Sequence, residues 1–397
     1  MKNRKKILIA GGGVAGASLA IRLAGSGFKV TLVERDKFPR HKLCGEFVSP
    51  ECLSHFEDLG ISEKINAAGG DMIHETRFYS EDGRFLSVPS SWFFNGKNGA
   101  LSISRYEMDM AMLETARGLG VNVVENARCF KIRREGNWIR SVYVKDGNER
   151  EREISADLMI DATGRSRILN RLAVEKKRPK QNRNGARYVA FKTHFENIGM
   201  KPGRCEIYFF RGGYGGLSHI ENGRANHCFI VDAEIAKACQ GDADEILRKV
   251  IFKNPRALKT LGSAERIFDW LAVSIQSFGR NDSPEAENLI NIGDAAAFID
   301  PFTGSGMLMA LESSELLARI IGEKYKSGGA ESVRSVKERY ETDHARLIKR
   351  RLLICSLFHR FSFSPKLASF VITAGNMSRR ILRTVAVMTR PQENAGS

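Results

Sequence analysis

Lys5-Lys6-Ile7-Leu8-Ile9-Ala10-Gly11-Gly12-Gly13-Val14-Ala15-Gly16-Ala17-Ser18-Leu19-Ala20 is the stretch whose reading decides the fold. The apolar run Lys5 to Ala10 suits a buried parallel strand, and the small residues after Gly16 suit a helix packed tightly on it. Between them lies G-x-G-x-x-G. Gly11 permits the tight turn, Gly13 lets a pyrophosphate approach the backbone at the positive end of the helix, and Gly16 lets helix and strand pack closely. A second strand, Lys29 to Val33, ends at Glu34, about 20 residues downstream, where a carboxylate can accept both hydroxyls of an adenosine ribose. That carboxylate disfavours a 2′-phosphate, so the motif predicts FAD or NAD rather than NADP. The same stretch imitates the charged and apolar regions of a secretory signal, but the glycine spacing has the more specific use.

Two later segments repeat the strand-then-turn pattern. Ile154 to Ile160 reads as a strand ending in Asp161-Ala162-Thr163-Gly164, and Asn288 to Ile292 as another ending in Gly293-Asp294-Ala295-Ala296. After the second come Asp300-Pro301-Phe302-Thr303-Gly304-Ser305-Gly306-Met307 and a helix to about Gly322. An Asp at such a strand end can hold a ribityl chain, and a glycine-flanked helix N-terminus can stabilise negative charge on a reduced flavin.

Taken together, these motifs resemble the glutathione-reductase-type FAD fold in its para-hydroxybenzoate hydroxylase branch, which includes geranylgeranyl reductases and flavin-dependent halogenases. Lys42-Leu43-Cys44-Gly45-Glu46 resembles the K-x-C-G segment of the reductases. Ser104-Arg105-Tyr106-Glu107 resembles the helix-opening Arg that reaches FAD, and Gly293-Asp294 with Asp300-Pro301 and Gly304-Ser305-Gly306 resembles the segment beside the isoalloxazine. The resemblance implies FAD contacts at Gly11, Gly13, Ala15, Gly16, Glu34, Arg35, Cys44, Gly45, Phe47, Arg105, Asp294, Gly304, Gly306 and Met307, with Cys129 contributing through its backbone. Cys44 is also the candidate catalytic side chain, against packing as the simpler role. His41, His219 and Tyr214 are candidate proton donors.

The resemblance implies an α/β fold. A Rossmann-like FAD-binding domain is expected from 1–70, 100–175 and 280–325, an antiparallel-sheet substrate domain from 71–99 and 176–279, and a C-terminal helical region from 326–397. His74 to Val88, Arg187 to His194, Arg204 to Phe210, Gly216 to Ile220 and Asn226 to Ile230 are the strand candidates of the second domain. Tyr214-Gly215-Gly216-Leu217-Ser218-His219 stands where the reductases carry Y-x-W-x-F-P and the tryptophan halogenases W-x-W-x-I-P. The missing tryptophan and proline argue against halogenation. The leading expectation is reduction of a carbon–carbon double bond in a hydrophobic, isoprenoid or lipid-like substrate. The alternatives are a monooxygenase hydroxylating an aromatic or polyketide-like compound, and a non-catalytic membrane-associated flavoprotein. NAD(P)H or a partner reductase is the candidate electron donor.

Composition is that of an ordinary globular protein: 397 residues, 42% hydrophobic and 27% charged, long enough for two or three domains. Seven Cys without C-x-x-C, and His without H-E-x-x-H, signal neither a disulfide framework nor a metal site, so a cytoplasmic location is expected. The net charge of +16 is unevenly placed. Ten basic residues lie between His344 and Gln392 (Arg346, Lys349, Arg350, Arg351, Arg360, Lys366, Arg379, Arg380, Arg383 and Arg390) without one acid. Leu, Ile and Phe are interleaved with them. Such a segment fits either a packed helical cap or an amphipathic element on an anionic membrane, at the inner face of which the protein would then be peripheral. No nucleic-acid reader motif accompanies the charge, and no apolar run is long enough to span a bilayer.

Overall fold

The computed structural model describes residues 5–93, 99–174, 186–325, 330–377 and Arg383. Its first layer is a five-stranded, all-parallel sheet ordered Leu289–Asn291, Leu158–Asp161, Lys6–Ala10, Lys29–Val33, Asn122–Val124. Alternation in the central strand sorts the core. Ile7 and Ile9 pack with the helices Val14–Gly25, Arg105–Gly118 and Gly306–Lys324, while Leu8 and Ala10 face the opposite side. That side is covered by a three-stranded antiparallel sheet, Ala127–Glu135, Trp138–Asp146 and Glu151–Ser155, through Ile139, Val142 and Val144.

The run Ile154 to Ile160, expected as one strand, is therefore two. Glu151–Ser155 ends the small antiparallel sheet and Leu158–Asp161 belongs to the parallel one. The change of sheet falls at Ala156-Asp157, where the mostly exposed Glu151–Ser155 gives way to the fully buried Leu158–Asp161.

The second body is an eight-stranded sheet ordered Glu265–Arg266, Tyr188–Glu196, Ala225–Asp232, Gly213–His219, Arg204–Phe210, Glu75–Tyr79, Phe85–Pro89, with Leu271–Ile275 also pairing with Tyr188–Glu196. Glu75–Tyr79 and Phe85–Pro89 form the hairpin expected around Ser80 to Gly83. The stretch after Asp232 departs from the all-strand expectation. Ala233–Ala238, Ala243–Lys249 and Pro255–Leu261 are helices whose Ala236, Ile246, Leu247 and Leu261 cover the back of the sheet against Phe191, Phe195 and Phe229. Asp242 and Asn254 cap the second and third of these helices by accepting backbone N–H groups.

The front of the large sheet meets Leu43, Phe298 and Phe302 and the chain's last described helix, Pro365–Met377, while Ala330–Ser362 packs on Gly306–Lys324. Ala368 and Ile372 of the terminal helix are buried with Tyr188, Phe209, Tyr214 and Ile230. The expected basic residues Arg379, Arg380 and Arg390 lie outside the described residues, as do the side chains of Phe358, Arg360 and Phe361. Among the described residues no helix is long and apolar enough to cross a membrane.

Candidate functional site

The glycine turn is built as its sequence requires. Gly11 has φ +104°, and a Cβ there would sit 2.3 Å from the Ala162 carbonyl oxygen, while one on Gly16 would sit 1.9 Å from the Gly11 carbonyl oxygen. Both positions are closed to any side chain. Gly13 differs: a Cβ there would meet only Lys42 Nζ at 3.5 Å and an Arg105 guanidinium nitrogen at 3.7 Å. Its open side faces two cations rather than packed protein. It is also the N-cap of Val14–Gly25 and offers no side-chain cap, so the helix presents bare N–H groups in the same direction.

Glu34 is buried at the end of its strand, accepting the Gly12 N–H at 2.6 Å and the Asp36 N–H at 3.0 Å. Each carboxylate oxygen keeps acceptor capacity for a ribose hydroxyl. Arg35 points to solvent beside Asp36. Cys129 lies in the adjacent small sheet, where burial, then the nearby Asp161 and Glu34 carboxylates, push its thiol up to about 12. Asp161 is used internally, accepting from the Thr163 N–H, the Thr163 hydroxyl and the Asn170 N–H.

Opposite Gly13, Ser104 caps Arg105–Gly118 by accepting the Glu107 N–H, and Arg105 makes a paired contact with Asp109 at 2.7 Å through both guanidinium arms. Arg40 reaches the same carboxylate at 2.9 Å. Asp294 completes the cleft. Burial raises its pKa, against the opposing pull of Lys42, Arg165 and Arg105. It follows Gly293, whose φ of +57° and close approach to the Ala15 methyl leave no room for a side chain. Positive charge, bare helix N–H groups and a glycine floor fit a pyrophosphate, and Asp294 fits a hydroxylated chain leading from it. FAD has that chemistry, so the residues present fit it.

Beyond the cleft, two segments frame the large sheet's front. In one, Cys44 Sγ accepts the Glu46 N–H at 3.4 Å and the Cys44 carbonyl accepts from Asn226 at 3.3 Å. A Cβ on Gly45 would meet nothing within 4 Å, whereas Phe47 packs against Gly304 of the other segment. In that second segment Gly304 takes φ +61°, and Gly306 opens the helix Gly306–Lys324 with nothing within 4 Å of a would-be Cβ. The adjoining Met307 is partly buried against the helical core. Asp300 accepts from the Tyr214 hydroxyl at 2.5 Å and from the Phe302 N–H at 2.9 Å. The phenol stays protonated, burial and Asp300 both raising its pKa.

Strand alternation divides this front into two halves. One is apolar and largely aromatic: Tyr188, Ala190, Phe209, Tyr214, Ile230 and Phe78, joined by Phe302. The other carries Lys192, His194, Asn226, Cys228 and Ser218. At its centre is a buried network that sequence reading missed. Glu46, at φ +52°, accepts from Lys192 Nζ at 2.6 Å and from the Arg105 N–H at 2.9 Å, and pairs with His194 Nε2 at 2.9 Å. Lys192 and Glu46 have no solvent exposure. Burial would raise the Glu46 pKa, but Lys192 and the His194 contact outweigh it and hold the carboxyl below its ordinary value. His41 lies edge-on to His194 and tilted against Phe268. Burial, then Lys192 and His194, lower it to about 4, so it is neutral near pH 7. His219 is turned elsewhere, to the Met200 carbonyl.

Known proteins agree with this architecture. The chain is 27% identical over 335 residues to flavin-dependent halogenase armH3 of Armillaria mellea, covering 77% of this chain and 64% of that protein. It is 24% identical over 329 residues to conditioned medium factor receptor 1 of Dictyostelium discoideum, covering 77% and 61%. The chain thus spans less than two thirds of either relative. The solved structure of the flavin-dependent brominase Bmp2 superposes with a TM-score of 0.75 at 18% identity, covering 97% of this chain and 94% of that one, a shared fold. The missing tryptophan and proline argued against halogenation as the reaction, yet a flavin-dependent halogenase is among the chain's relatives. The expectation of a geranylgeranyl reductase gains no support from them. With residues 4–351 matching the family described as FAD binding domain, spanning the glycine turn, the Lys42–Arg105 cleft and the Asp294 segment, the chain belongs to that family.

Proposed function

We propose that the protein is an FAD-dependent enzyme of the oxygen-using, halogenase-like kind, which functionalises an aromatic ring. The divided front of the large sheet carries this reading. Its polar half holds Cys44 and Glu46 in place, its aromatic half, covered on the outside by the terminal helix, reaches the half-buried Phe302 of Asp300–Gly304, and a flat ring where the two halves meet would lie against that Phe face. Kinship to a halogenase supports the same chemistry over double-bond reduction.

FAD, when bound, supplies the redox chemistry. The chain's own part is binding and placement. Lys42, Arg105 and the glycine turn hold the pyrophosphate, Asp294 the ribityl chain, and Glu34 the adenosine. Asn226 and Lys192 fasten the Lys42–Phe47 segment through its carbonyls, and the buried sheet excludes water from one side.

A monooxygenase is the second reading, favoured by the absence of tryptophan and proline from Tyr214 to His219. One experiment separates them: the FAD-loaded protein receives electrons from an added flavin reductase, bromide and isotopically labelled dioxygen, with pyrrole, phenol and indole acceptors. Mass spectrometry showing bromine in the product supports halogenation, and labelled oxygen without bromine supports hydroxylation. Saturation of an alkene substrate without oxygen consumption would overturn both.

A further inference from the structure

The terminal helix Pro365–Met377 is apolar on two sides. Ala368 and Ile372 are buried against the large sheet, as an amphipathic cap requires. Its opposite side should then be polar, but Leu367, Phe370, Val371, Ala374 and Met377 fall at i, i+3, i+4, i+7 and i+10, one continuous outward stripe. Phe370 is 71% exposed and Met377 83% exposed. Phe85 extends the surface: it is 43% exposed, and its carbonyl accepts from Asn376. Of the twelve exposed large apolar residues among those described, six fall between Leu347 and Met377.

We propose that this stripe is a docking surface for an anionic lipid bilayer. Charge names the occupant. From His344 to Gln392 the sequence has no acid, and Lys349, Arg350 and Lys366 are exposed without an ion pair among the described residues. Arg84 fastens the helix through Ser369 and Thr373, but it is neutralised by Asp82. A stripe meeting a second copy of itself would add the unpaired positive charge of Lys366, beside Leu367, to that of its copy, whereas anionic headgroups neutralise it while the apolar side chains enter the acyl boundary. The helix lies along the surface and does not cross it. Its inner face remains on the aromatic half of the sheet.

The test uses the FAD-loaded full chain and flotation with phosphatidylcholine vesicles, with and without about a third phosphatidylglycerol. Binding is expected to the anionic vesicles. The double variant Leu367→Glu, Phe370→Glu should bind on the order of tenfold or more weakly. Lys349→Gln, Arg350→Gln and Lys366→Gln should each cost roughly fivefold on anionic vesicles only. Unchanged flavin content and circular dichroism verify that the variants fold. The proposal is overturned if wild-type protein ignores anionic vesicles, if the glutamate variant floats equally well, or if light scattering shows a dimer that this variant dissociates.

Discussion

The glycine-turn end and the front of the large sheet both frame the candidate site, but they are built in opposite ways. At the glycine turn, function rests on backbone: N–H groups, carbonyls and the absence of side chains, all within a strand, a turn and a helix contiguous in sequence. At the sheet front it rests on side chains delivered from several segments, with Glu46 meeting Lys192 and His194, each more than 140 residues further along the chain, at 2.6 and 2.9 Å. The first kind of site is rigid because nothing larger than hydrogen fits. The second is rigid only while its charges remain paired.

Substitutions sharpen that contrast. The largest effect is expected from Gly16→Ala, whose Cβ collides with backbone and must push helix from strand, costing more than about 3 kcal/mol and yielding little folded protein on a urea denaturation curve. Gly13→Val separates binding from folding: the first carbon of its side chain meets only ordinary contacts, so the apo fold should survive while FAD affinity falls by more than about a hundredfold, read by flavin titration. Equal loss of stability in both glycine variants would erase the distinction.

On the sheet front, Glu46→Gln leaves Lys192 buried without a counter-charge and should cost about 3–5 kcal/mol in the urea midpoint. A cost below about 1 kcal/mol would mean that the network is not what holds the two segments together. Tyr214→Phe, which removes one donor from Asp300, should cost about 1–2 kcal/mol and disturb substrate turnover more than FAD retention. The smallest effect is with pH. His227 is held at about 4 by burial, against the opposing Gly216 carbonyl contact. Because its folded pKa lies below the unfolded 6.5, the unfolded state takes up the proton first, and stability falls as pH drops from 6.5 towards 4. His227→Gln should flatten that slope; an unchanged slope would place the acid sensitivity in His41 or His344, which burial likewise lowers to about 4.

What could be read from residues follows the same division. Gly11, Gly13, Gly16, Glu34, Arg105 and Asp294 each belong to a short motif with fixed spacing, and their physical reasons are local. Lys42 stood within a recognised segment, but nothing in its spacing indicated that its ammonium reaches Gly13. Lys192 reads as an ordinary strand residue, and a lysine in an alternating strand is usually a solvated one. Only pairing with Glu46, itself in a left-handed conformation, makes its burial tolerable.

The sequence by itself determined the nucleotide end, because a tight turn, a close backbone approach and a close helix packing are steric demands that only particular residues in a fixed order satisfy. Tertiary structure decided the rest: the split of Ile154 to Ile160 between two sheets, the three helices behind the large sheet, and the two-sided terminal helix. Each depends on which surface covers a residue, and burial is a property of the neighbours that long-range folding brings, not of local order along the chain.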